Sequence, residues 1–160
     1  RTMLPQLRDL LREVAERLDL DTESFRLLGP YEYQSILKSI AERFLDVGET
    51  GLGYNWWWDN FKGETESLQT DRALEVLSKV LPSNERLWLV ANDNRKKLGS
   101  FWLYESDART IVRVLEASYR FEYYVVSKKY AWLLGEHHSQ VLVAVGGPMI
   151  TALRHEKYGA

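Results

Sequence analysis

Apolar residues recur at helical spacing through the first half of the chain. Leu7, Leu11, Val14 and Leu18 fall at i, i+4, i+7 and i+11, one stripe of a helix. Asp9, Arg12, Glu13, Glu16 and Arg17 occupy its wet side, and Pro5 suits the first turn, where a missing N–H costs least. Residues 19–30 read as a connection, and Gly29-Pro30 launches a second helix with the stripe Tyr33, Ile36, Leu37, Ile40, Ala41 and Phe44. Gly48 stops it. Residues 46–70 carry four glycines and many polar side chains and read as a long loop. A third helix is predicted from an N-cap at Thr70 or Asp71 to Leu81, with Leu74, Leu77 and Leu81 inward and Pro82 ending it.

From residue 86 the pattern changes to short runs of β-branched, aromatic and large apolar residues. LWLVA (87–91) and SFWLY (100–104) predict two strands joined by a polar hairpin loop around Asn92-Asp93-Asn94. Asp107 then caps a helix with Ile111, Val112 and Leu115 inward. FEYYVVS (121–127), YAWLLGE (130–136) and QVLVAVG (140–146) predict three more strands with connections too short for anything but an antiparallel meander. Gly146-Gly147-Pro148 breaks the last strand and opens a C-terminal helix through Met149, Ile150 and Leu153. The order ααα-ββ-α-βββ-α predicts a single α+β domain over 1–160, with a helical half (1–81) and a sheet-rich half (86–157). The expected sheet is antiparallel, has about five strands, and is covered by helices mainly on one face.

Composition narrows the class. The 160 residues are 45% hydrophobic and 28% charged, ordinary for a globular domain. No apolar run approaches the roughly 18–20 residues of a membrane span, and the charged opening segment lacks a signal peptide's apolar stretch. A cytoplasmic location is the expectation. The absence of cysteine excludes disulfides, thiolate metal sites and a thiol nucleophile. Net charge is −2, divided unevenly: residues 1–80 hold 10 basic and 15 acidic side chains, and residues 81–160 hold 11 and 8. Such asymmetry suits a binding face for a partner of opposite sign.

The densest aromatic stretch is YNWWWDNF (54–61). On a strand, Trp56 and Trp58 share one face and Trp57 takes the other. On a short helix, Tyr54, Trp57, Trp58 and Phe61 share a stripe and Trp56 points away. Either way the three rings do not enter one core, and each carries roughly 150–250 Å² of surface. Most of the cluster is expected inside as a plug between the helical half and the sheet. Trp56 is then left as an anchor for a partner, with the carboxylates Asp59, Glu64 and Glu66 nearby.

Other chemistry is thinner. Adjacent residues His137 and His138 point to opposite faces of a strand and fall short of the three or four ligands of a zinc site, so neither a metal nor a cofactor is expected. Lys128-Lys129 and Arg95-Lys96-Lys97 stand beside Tyr123, Tyr124, Trp88 and Trp102, the arrangement of a single-strand nucleic-acid binder. The slightly acidic total charge argues against that partner. Dinucleotide, P-loop, zincin and nucleophile-elbow motifs are missing, so the reading leans away from an enzyme.

WWWDNFK (56–62) and EYYVVSKKYAWLLGEHHSQVLVAVGG (122–147) resemble an uncharacterised family of small bacterial domains, with the likeness strongest from Leu87 to Gly147. That family implies no catalytic residue. Small aromatic-rich α+β proteins of this size are also similar, as a class, to immunity proteins of bacterial toxin systems. The function expected is therefore non-catalytic protein binding of the toxin–immunity type, with Trp56, Asp59, Glu64 and Glu66 meeting a basic toxin domain. One alternative is a small-molecule binder or enzyme with a pocket between the Trp-rich segment and the sheet, lined by Trp57, Tyr124 and His137 or His138. Single-strand nucleic-acid binding is the other.

Overall fold

The computed structural model describes residues 6–46, 57, 60–93, 101–118, 120–137 and 140–159, and for His137 the backbone alone. Five strands form where the sequence pattern places them: β3 (Arg86–Asn92), β4 (Phe101–Asp107), β5 (Glu122–Ser127), β6 (Leu133–His137) and β7 (Val141–Val145). Two further strands, β1 (Phe25–Leu27) and β2 (Thr65–Gln69), lie in segments expected to be a connection and a loop. The described sheet therefore has seven strands rather than about five, ordered β1-β4-β3-β5-β6-β7-β2 with every pair antiparallel. With α1 (Leu7–Arg17), α2 (Pro30–Phe44), α3 (Ala73–Val80), α4 (Ala108–Ala117) and α5 (Gly147–Tyr158), the order is α-β-α-β-α-ββ-α-βββ-α. This corrects the expected ααα-ββ-α-βββ-α.

Both additional strands sit at the sheet edges, which explains why their sequences are quiet. An edge strand pairs on one side only and needs little apolar content. β1 is three residues long, too short to display a period. In β2, TESLQ alternates exposed and half-buried positions with Leu68 as its one apolar residue.

Successive residues of the central strands point to opposite faces, and both faces are covered. Leu87, Leu89, Ala91, Tyr104, Tyr123, Val125, Leu134, Leu142 and Ala144 pack under α1, α3, α4 and α5. Trp88, Val90, Leu103, Tyr124, Val126 and Leu133 pack against Leu37, Ile40 and Phe44 of α2 and against Trp57. Four helices share one face, but α2 crosses to the other, so the second face carries a core of its own. That double cover is why all six residues of β5 are buried, a continuous run instead of an alternation.

Local chemistry fixes the element ends. Asp107 Oδ1 accepts the Thr110 N–H at 2.8 Å and caps α4. α1 has no side-chain cap of its own at Gln6. Instead the Leu7 N–H donates to Asp93 Oδ2 at 2.9 Å, a buried bond across 86 residues. The Asp93 carboxylate thus meets the positive end of α1 and ties the first helix to the end of β3. α3 starts at Ala73, later than an N-cap at Thr70 or Asp71 would place it, because Thr70 Oγ1 is turned to the Arg72 N–H at 3.0 Å.

Candidate functional site

The residues expected to meet a partner are placed as follows. Trp56 and Asp59 lie outside the described residues. Glu64 precedes β2 and Glu66 is within it, and both are held by cations of α5. Arg154 Nε donates to Glu66 Oε1 at 2.7 Å, Arg154 Nη2 to Glu64 Oε2 at 3.2 Å, and Lys157 Nζ to Glu66 Oε2 at 2.9 Å. The Arg154 bond first, then that from Lys157, holds the Glu66 carboxyl below its ordinary range. Glu64 and Glu66 therefore help to fasten the edge strand to the last helix.

The residues expected to line a pocket fare differently. Trp57 and Tyr124 do meet, with ring centroids 4.9 Å apart and planes inclined by 37°. Each is 1% exposed. Phe101 lies 4.8 Å from Trp57, and Phe61 approaches Tyr124 edge-on at 6.2 Å. This is packed core on the α2 side. His137 ends β6, its backbone opposite Val141, and His138 lies outside the described residues.

A hollow of about 440 Å³ opens on the other face, between the start of α3, the end of α4 and β5–β6. At its floor Tyr123 and Glu136 are direct cross-strand partners, and the Tyr123 hydroxyl donates to Glu136 Oε1 at 2.7 Å. Glu136 is 9% exposed and Tyr123 3%. Burial, then the charge of Glu136 and its hydrogen bond, push the phenol well above its ordinary pKa, with Arg120 opposing. Phe121 stands edge-on to Tyr123 at 6.2 Å. Asp71, Arg72 and Glu75 from the start of α3, and Arg120 from the approach to β5, form the rim. A carboxylate set among aromatic rings is suited to a ligand cation, attracted by both the charge and the ring faces.

Sequence reasoning chose Tyr124 with His137 or His138. The candidate pair at this hollow is Tyr123 with Glu136; Tyr123 is one residue before Tyr124, and one residue in a strand is the opposite face. The signal was present in the short β5–β6 turn, which sets the register that brings Tyr123 opposite Glu136.

A second hollow, of about 650 Å³, lies between α1 and the edge strand β1. Phe25 and Tyr104 stack at 4.4 Å with planes 11° apart on its floor, and Ala15, Leu20 and Leu27 add apolar wall. Arg8, Arg12 and Arg26 stand around it. The Tyr104 hydroxyl is sealed and has no hydrogen-bond partner, and the same holds for Arg8 Nε. Burial raises the Tyr104 phenol above its ordinary pKa.

A third cluster centres on Glu105. Arg26 Nη2 and Lys128 Nζ approach Glu105 Oε1 at 3.0 and 3.2 Å, and Arg86 Nε approaches Oε2 at 3.2 Å. Burial pushes this carboxyl upward, and the three cations more than reverse it, to about 2. Lys128, expected among the basic loop residues, is thus engaged internally.

Among the described residues no three His, Asp or Glu side chains gather as a metal ion would require, and no helix is long and apolar enough to cross a membrane. Neither the curated proteins nor the solved structures yield a match. A family model described as "Family of unknown function (DUF6756)" matches residues 3–157, nearly the whole chain, and the protein belongs to that family.

Proposed function

We propose that the protein is a non-catalytic binding protein, and that its partner inserts a cationic side chain into the hollow between α3 and β5–β6. The observation that carries this is Glu136. Its carboxylate is nine-tenths buried beside a cavity and, among the described residues, receives one neutral hydrogen bond, from Tyr123. A carboxylate is a costly way to satisfy one phenol in the interior; a lysine or arginine from outside would offset that cost. The basic toxin-like partner read from the sequence fits this chemistry, with recognition seated at Glu136 and Tyr123 rather than at Glu64 and Glu66. The toxin–immunity setting is one biological frame for such a protein.

The experiment is a titration with a lysine-rich decapeptide, followed by backbone amide shifts. Shifts should concentrate at Ala73–Glu75 and Phe121–Tyr123. Glu136→Gln keeps an acceptor for Tyr123 while removing the charge, and should weaken binding about tenfold or more, as loss of a charge-assisted contact does. Glu64→Gln should leave it nearly unchanged. Equal affinity in Glu136→Gln and the parent protein, or shifts confined to other surfaces, would refute the proposal.

A further inference from the structure

The hollow between α1 and β1 has different chemistry, and we propose that it is a second, independent site, for a small apolar molecule ending in an anionic acid group. Its size falls within the roughly 300–1,000 Å³ of small-molecule pockets, and so does its make-up of apolar walls with a few placed polar groups. The apolar part is the stacked Phe25–Tyr104 floor with Leu20 and Leu27. The polar part is incomplete. Tyr104, 3% exposed, has a hydroxyl with no acceptor. Arg8 Nε also lacks one, its nearest carboxylate oxygen being Asp9 Oδ1 at 3.9 Å.

Buried polar groups are nearly always paired, so two orphans lining one cavity call for a common partner. A hydroxyl and a guanidinium N–H are both able to donate, and the missing partner is therefore an acceptor. Positive charge from Arg8, whose Nε stands 3.9 Å from the Asp9 carboxylate while Arg12 is paired with that carboxylate at 3.1 Å, makes it an anion. The Arg8 and Arg12 side chains are 41% and 64% exposed, so they are able to swing and admit the acid group to the phenol beneath. Of the two acids lining the hollow, Glu16 and Asp21, Asp21 is already turned to the backbone N–H groups of Glu23 and Ser24. A carboxylate and a phosphate monoester share the required chemistry.

Calorimetric titration with decanoate and with decyl phosphate, each below its micelle concentration, tests the site and separates the two headgroups. Saturable one-site binding to at least one acid is expected, with decylammonium and decanol binding far more weakly. Tyr104→Phe deletes only the hydroxyl. It should weaken the acid about tenfold and, with no ligand present, raise the thermal midpoint, since an unpaired buried group has been removed. A merely structural hydroxyl would not link those two opposite effects. Glu136→Gln should leave acid binding unchanged, which keeps this site's success or failure separate from that of the cation site. Absence of saturable binding by both acids, equal binding of decylammonium, or undiminished affinity in Tyr104→Phe would overturn the inference.

Discussion

At the scale of single residues, the chemistry turns on which way a side chain points from β5. Tyr123 and Tyr124 are adjacent and both buried, yet one floors a cavity with Glu136 and the other is wedged into the opposite core. Tyr124 fits because its neighbour on β6, Gly135, has no side chain. A Cβ there would stand 2.5 Å from Tyr124 Cδ1 and 2.8 Å from Cε1. Trp57 at 4.9 Å and Phe61 at 6.2 Å leave the ring nowhere to retreat. Gly135→Ala should therefore destabilise the fold by about 1–3 kcal/mol, the usual cost of overpacking, read as a lower urea midpoint. An unchanged midpoint would mean that the ring is not confined. Some of this scale was legible in advance. Asp107 announced its cap by standing between a strand and the run Ile111, Val112, Leu115. Which of two neighbouring tyrosines meets a cavity depends on strand register and on what covers each face, and residue types alone carry neither.

At the scale of elements, the amphipathic helices and the five inner strands were legible because burial on one or both faces writes a period into the sequence. β1 and β2 were not, since an edge strand is held largely by backbone pairing with a neighbour remote in sequence: β4 for β1 and β7 for β2. For β2 the side chains help in a way that no local pattern reveals. Glu66 reaches across to Arg154 and Lys157 of α5, about 90 residues later. The interaction is solvent-exposed, so its share of global stability is small. Its effect should be local. In Glu66→Gln, amide exchange of Thr65–Gln69 should quicken while the global unfolding midpoint stays nearly constant, because edge elements open without the core. Unchanged exchange in β2 would show that the ladder to β7 suffices alone. The acidic excess of the first half thus includes internal wiring between elements.

At the scale of the whole molecule, Glu105 joins parts of the chain that are far apart in sequence. Arg26 comes from β1, Arg86 from β3 and Lys128 from the turn after β5, all converging on one carboxylate of β4. Four consecutive strands of the sheet order β1-β4-β3-β5 are fastened at one point. Burial alone would raise the Glu105 pKa, but the hydrogen bonds from Arg26, Arg86 and Lys128 bring it from the ordinary 4.5 to about 2. A carboxyl whose pKa is lower folded than unfolded binds its proton more tightly in the unfolded chain. Its stabilisation is complete above about pH 4.5 and is lost as the pH falls towards 2. The cations are about one-third exposed, so solvent screening reduces the effect to about 1–2 kcal/mol. Urea denaturation at a series of pH values should show the parent protein exceeding Glu105→Gln by that amount at pH 6. The gap should narrow steadily below pH 4.5 and nearly close by pH 2. A difference that stays constant across that range would assign Glu105 a packing role, since only a titrating charge links the sheet's fastening to the proton.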